Sequence, residues 1–120
     1  MKNILVVDDD EDVQKMFKDV LETYGYKVVQ AANGKEAVEK YIESKPDIVI
    51  MDILMPGVDG VKTTKKILRR DKNAKIIVVT AVGKVGLEKD CIKAGAKAFI
   101  MKPFKIDALL AAIQKVSGGA

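Results

Sequence analysis

Five short apolar runs recur along the chain: Ile4–Val7, Val28–Ala32, Ile48–Met51, Ile76–Val79 and Ala98–Met101. Most are continuous and rich in β-branched side chains. A strand with one wet face would alternate, so unbroken runs predict strands covered on both faces. The segments between them step by three and four. Val13, Met16, Phe17, Val20, Leu21 and Tyr24 form one helical stripe, and Ala37, Val38, Tyr41 and Ile42 form a second. Val61, Thr64, Ile67 and Leu68 form a third, and Ile106, Leu109, Leu110, Ile113 and Val116 make the cleanest. A fourth helix, roughly Lys84–Ala94, has the weakest pattern. It carries Gly86 and many lysines, so it is expected to be the least rigid.

Local punctuation agrees. Asn33 with Glu36 three residues on resembles a capping box, so this Asn-Gly opens a helix rather than a hairpin. Gly25 and Gly95 follow helical stretches, where a left-handed residue is wanted. Strand and helix alternate five times. That predicts an α/β fold, a doubly wound parallel sheet with right-handed crossovers and helices on both faces. Ligands in such sheets bind at the carboxyl ends of the strands, where strand order reverses.

The chain has 120 residues, the size of one domain with one core, and residues 1–120 are read as that single domain with no effector domain. Hydrophobic residues make up 48% and charged residues 32%, which indicates a globular chain rather than a disordered one. No apolar run is long enough to span a bilayer, and the start lacks a signal-peptide pattern, so the cytoplasm is expected and a membrane is not. The single cysteine, Cys91, can form no internal disulfide and is expected to be a small buried helix residue. The absence of histidine excludes imidazole metal sites, Ser-His catalysis and any role as a phospho-histidine donor.

Net charge is +4, unevenly spread: residues 1–60 hold seven lysines against thirteen acids, and residues 61–120 hold fourteen cations against four. The cations are dispersed and no recognition signature accompanies them, so nucleic acid is not an expected partner. Lys84, Lys89, Lys93, Lys97 and Lys105 are read mainly as solvated, with a basic docking rim as the sharper alternative.

Asp8 to Asp12 are five acids in a row, directly after a buried run. Two carboxylates about 4 Å apart repel by roughly 4 kcal/mol at an effective dielectric near 20, so the run must divide. Asp10, Glu11 and Asp12 open the first helix, where negative charge suits the helix dipole. Asp8 and Asp9 end the first strand, and Asp52 ends the third. In a doubly wound sheet those ends are neighbours, and three converging carboxylates suit Mg²⁺. Thr80 and Lys102 end the fourth and fifth strands on the same edge. They offer an anion a hydroxyl donor and an ammonium. A carboxylate nucleophile, a cation, a hydroxyl and an ammonium are suited to taking a phosphoryl group onto Asp52.

The motifs ILVVDD, VIMDILMPGVDG, VVTA and FIMKPF stand in this order over about Lys2–Val116. With these spacings the chain resembles the receiver domain of bacterial and archaeal two-component response regulators. The resemblance implies a flavodoxin-like five-stranded sheet in the order 2-1-3-4-5. It implies that Asp52 is the phosphoacceptor, that Asp9 binds Mg²⁺ directly and Asp8 through water, and that the Leu54 carbonyl is a further ligand. Lys102 would contact the phosphoryl group, Thr80 would swing toward it, and Phe99 would rotate inward behind Thr80. The Lys102–Pro103 bond would be cis.

The resemblance also implies a histidine kinase as donor and a downstream protein target on the face formed by the fourth helix, fifth strand and fifth helix. A monomer is expected. Apolar Leu54 and Val82 imply slow self-dephosphorylation. Chemotaxis-type output is favoured, the alternatives being a phosphorelay intermediate and an adaptor that never takes phosphate. Flavin binding fits poorly, because an acidic loop after the first strand repels phosphate. An aspartate phosphatase fits poorly too, because Asp52 and the Lys-Pro-Phe motif have no place in it. Met55 and Pro56 are read as shaping the loop after Asp52, with Gly57 and Gly60 serving its turns and Asp59 capping the third helix. Met16, Met51 and Met101 are read as core.

Overall fold

The computed structural model describes residues 2–52, 60–81 and 86–117. Strands and helices alternate as β1 (Asn3–Val7), α1 (Glu11–Thr23), β2 (Lys27–Ala31), α2 (Gly34–Ser44) and β3 (Ile48–Asp52). They continue as α3 (Gly60–Arg70), β4 (Ile76–Thr80), α4 (Leu87–Ala94), β5 (Ala98–Met101) and α5 (Ile106–Val116). All neighbouring strands pair in parallel, in the order β2-β1-β3-β4-β5. This is the flavodoxin-like arrangement, with the order reversing between β1 and β3.

The unbroken apolar runs are explained by two core layers. Leu5, Val7, Val49, Met51, Ile76 and Val78 point to one face, where Ala37 and Tyr41 of α2, Ile67 of α3 and Cys91 of α4 cover them. Ile4, Val6, Ile48, Ile50, Ile77 and Val79 point to the other, under Phe17 and Leu21 of α1 and Leu109 and Ile113 of α5. Successive strand residues face opposite layers, so both sets must be apolar. The outer strands are less covered, and β5 ends on Met101, which is 43% exposed. Met101 is therefore not core as expected, because its strand is the sheet edge. Met51 is fully buried in the central β3.

The inward face of α1 also differs from expectation. Gln14, Phe17 and Leu21 are buried, whereas Met16 is 39% and Tyr24 55% exposed. A carboxamide thus occupies the inner face where Met16 was expected to contribute. Caps behave as the sequence implies. Asn33 Oδ1 accepts from the Glu36 amide at 2.8 Å. Gly25 and Gly95 both have positive φ, and a Cβ at Gly95 would collide with Leu68 of α3. Cys91 is buried, and Lys102–Pro103 is cis. No helix among the described residues is long and apolar enough to cross a membrane.

Candidate functional site

Strand register assembles the site. Val7 lies beside Met51, so Asp8, one residue past β1, comes level with Asp52 at the end of β3. Asp52 lies beside Val79, and Thr80 beside Met101, which sets Thr80 and Lys102 on the same carboxyl edge. Residues 50 positions apart then meet: Lys102 Nζ donates to Asp52 Oδ2 at 2.7 Å, forming an ion pair. Asp8, Asp52 and Thr80 are almost wholly removed from solvent, at 3%, 4% and 0% exposure. Lys102 is half-buried, and its amide donates to the Thr80 carbonyl at 2.7 Å. Behind it, Phe104 stacks on Phe17, which ties the segment carrying Lys102 to α1.

Asp8 is held at three points. Its amide donates to the Ala31 carbonyl at 3.0 Å. Its Oδ1 accepts the Asp10 amide at 2.9 Å, and its backbone carbonyl accepts from Gln14 Nε2. Its Oδ2 is buried and, among the described residues, meets no donor at hydrogen-bond distance. Burial first, then the adjoining Asp52 carboxyl, push Asp8 up to about 7, against the opposing pull of the Asp10 amide and of Lys102. Among the described residues two buried carboxyls, Asp8 and Asp52, adjoin each other beside the Lys102 ammonium. Closely set buried carboxyls and the Asp8 Oδ2 fit a hard, oxygen-seeking cation.

The acidic run divides. Asp10 caps α1, its Oδ1 accepting the Asp12 amide at 2.8 Å and the Val13 amide at 3.3 Å, while Glu11 and Asp12 occupy the first turn. Asp9 is exposed beside the site. The structure thus brings together Asp8, Asp52, Thr80 and Lys102 and leaves Asp9 at the solvent margin. Among the described residues no three acidic side chains are grouped tightly enough to form a metal centre by themselves. Leu54, Met55, Pro56, Gly57, Asp59, Val82 and Lys84 lie outside the described residues.

Phe99, half-buried in β5, packs against the core layer that contains Val78, its register neighbour. Beside it a groove of about 550 Å³ runs between α4 and α5, lined by Ile92, Phe99, Ile100, Ala112 and Lys115 among others. Gln14 escaped the sequence reading. Its signal was present, a polar residue beside Val13 and one turn before Phe17 and Lys18, but side-chain type alone did not show that it turns inward.

Comparison with known proteins follows the same lines. The family model of the response regulator receiver domain matches residues 4–114. The chain is similar to the chemotaxis protein CheY of Thermotoga maritima, 50% identical over 117 residues, or 97% of this chain and 98% of that protein. It is similar to the chemotaxis protein CheY of Bacillus subtilis, 49% identical over 113 residues, covering 93% and 94% of the two chains. Among solved structures it resembles the CheX-CheY-BeF3-Mg²⁺ complex from Borrelia burgdorferi, with a TM-score of 0.90 and 39% identity over 96% of this chain and 88% of that one.

Proposed function

The chain belongs to the response regulator receiver domain family, and from that premise we propose that it is a phosphorylation-activated chemotaxis switch working in the cytoplasm. Asp52 accepts a phosphoryl group from the phospho-histidine of a kinase. The observation that carries this reading is the buried Asp52 carboxylate, 2.7 Å from the Lys102 ammonium and beside the orphaned Asp8 oxygen. The arrangement gives a carboxylate nucleophile, an ammonium already paired with it and a second carboxyl close by.

The chemistry follows from those groups. An Asp52 oxygen attacks phosphorus, the phosphorus–nitrogen bond to the donor histidine breaks, and the imidazole departs with the electron pair. The Lys102 ammonium turns from the carboxylate to a phosphoryl oxygen, so its ion pair follows the transferred charge. The Thr80 hydroxyl, at the end of β4, donates to another phosphoryl oxygen. Mg²⁺ held by Asp9, Asp52 and the Leu54 carbonyl, with Asp8 acting through water, would neutralise charge on the phosphoryl group. Asp8 keeps the site acidic enough to want that cation.

Thr80 and Phe99 connect the site to the output face. Movement of Thr80 toward the phosphoryl group opens room behind it for the Phe99 ring. The downstream partner then reads the face of α4, β5 and α5, where the groove beside Phe99 lies. The protein acts as a monomer, promotes its own phosphorylation and loses the phosphoryl group slowly. The solved relative in complex with CheX and a beryllium fluoride–magnesium pair supports the cation and the protein partner as classes.

Labelling with acetyl phosphate or phosphoramidate, read by mass spectrometry, tests the reading. One phosphoryl group is expected on Asp52 with Mg²⁺ present, and none with chelator or in Asp52→Asn. Labelling at another residue, or equal labelling without Mg²⁺, would overturn it.

A further inference from the structure

Gln14 is the polar exception on the buried face of α1. Its neighbours there, Phe17 and Leu21, are apolar and belong to one core layer. Packing alone would favour an aliphatic side chain, because a buried carboxamide needs its hydrogen bonds. Gln14 finds them on backbone at the two strand ends that flank the site. Its Nε2 donates to the Asp8 carbonyl and, at 3.3 Å, to the Ala31 carbonyl. Ala31 O also accepts the Asp8 amide at 3.0 Å. One side chain therefore fastens the residue after β1 to the last residue of β2.

We propose that Gln14 is a positioning residue that fixes Asp8 against Asp52 and thereby sets the affinity of the site for a divalent cation. The inference rests on the Mg²⁺-dependent reading above. Gln14 touches neither the Asp8 carboxyl nor Asp52, and it acts through the Asp8 peptide. Two carboxyls forced together in a buried space tend to separate. The Asp8 carboxyl is tied to its own loop by the Asp10 amide, so it is placed by the local backbone, which Gln14 holds on its carbonyl side and Ala31 on its amide side. The cation then meets an acidic pair already assembled, and binding includes no reorganisation of the loop.

The test is calorimetric titration of the full chain with MgCl₂, using wild type, Gln14→Met and Gln14→Asn. Met keeps length and volume but removes the donors. Asn keeps the amide but shortens its reach. Loss of a group that orients a metal ligand weakens binding about 10-fold or more, so that is the expected rise in Kd for Gln14→Met, with Gln14→Asn between it and wild type. The metal-free melting temperature of Gln14→Met should stay near that of wild type, because freeing Asp8 relieves repulsion as the hydrogen bonds are lost. A role in packing alone would lower the melting temperature equally with and without Mg²⁺ and leave Kd unchanged, and that result overturns the inference. If Gln14→Met does not fold, Gln14→Asn decides on the same criterion. Wild type that binds no Mg²⁺ would overturn the phosphoacceptor reading and this inference together. Normal wild-type binding with unchanged variants overturns this inference alone.

Discussion

Asp8 sits in an environment far from that of a free side chain. Burial and the Asp52 carboxyl raise it from 3.8 to about 7. A carboxyl raised in this way stabilises the fold while it is protonated. That contribution is complete below about pH 3.8 and is lost as pH rises through about 7. Metal-free protein should therefore weaken as pH rises from about 4 to about 7. Asp8→Asn removes the titration. Thermal melts in chelator should show the variant more stable than wild type at pH 7, with the advantage shrinking toward pH 4. A variant less stable at pH 7 would show that the acidic pair is not frustrated.

Side-chain type at a strand end was enough to find Asp8, Asp52, Thr80 and Lys102, because unbroken apolar runs mark where strands stop. It was not enough for Gln14, since a polar residue on a helix is read as facing water. Nor could it show that Met16 and Met101 are exposed, because a methionine suits either environment.

Among the elements, α2 and α3 are joined by a contact that periodicity does not reveal. Tyr41, near the end of α2, donates from its hydroxyl to Asp71 Oδ2 at 2.8 Å, just past α3. The bond from Tyr41, with help from the Asn73 amide, holds the Asp71 carboxyl below its usual value, while burial and Asp71 raise the Tyr41 hydroxyl. A carboxyl lowered in the folded state contributes stability above its unfolded pKa and loses it as pH falls through the folded value. Tyr41→Phe should therefore melt a few degrees below wild type at pH 7, and the two curves should converge in acid. A difference that persists unchanged to low pH would assign the loss to packing instead.

Helical and strand periods were legible here because each element buries one face or two. The boundaries moved by a residue, as at β2, which spans Lys27–Ala31, and in α4 the described helix begins at Leu87. The order of the strands was not legible from periodicity, since register between distant segments leaves no local trace. It came from the motifs and agrees with the observed β2-β1-β3-β4-β5.

The whole molecule separates its acidic and basic halves along the chain, yet the fold brings a basic residue of the second half, Lys102, onto the acids of the first. The ion pair at the carboxyl edge thus joins the two halves of the charge asymmetry inside the protein. The same edge joins residues from β1, β3, β4 and β5. In the proposed function a covalent event at Asp52 would be felt by Thr80 and passed to the β5 face that holds Phe99, so that accepting the phosphoryl group and reporting it would fall to different residues linked by adjacency of strands.

The most direct measurement is a crystal structure of the protein grown with magnesium and beryllium fluoride, which mimics the phosphoryl group. A beryllium trifluoride group should be bound to Asp52, tetrahedral at beryllium, with Lys102 and Thr80 donating to its fluorides and a cation between it and the carboxyls of Asp8 and Asp9. Well-ordered crystals with no group on Asp52, or with the cation bound away from these acids, would contradict the account.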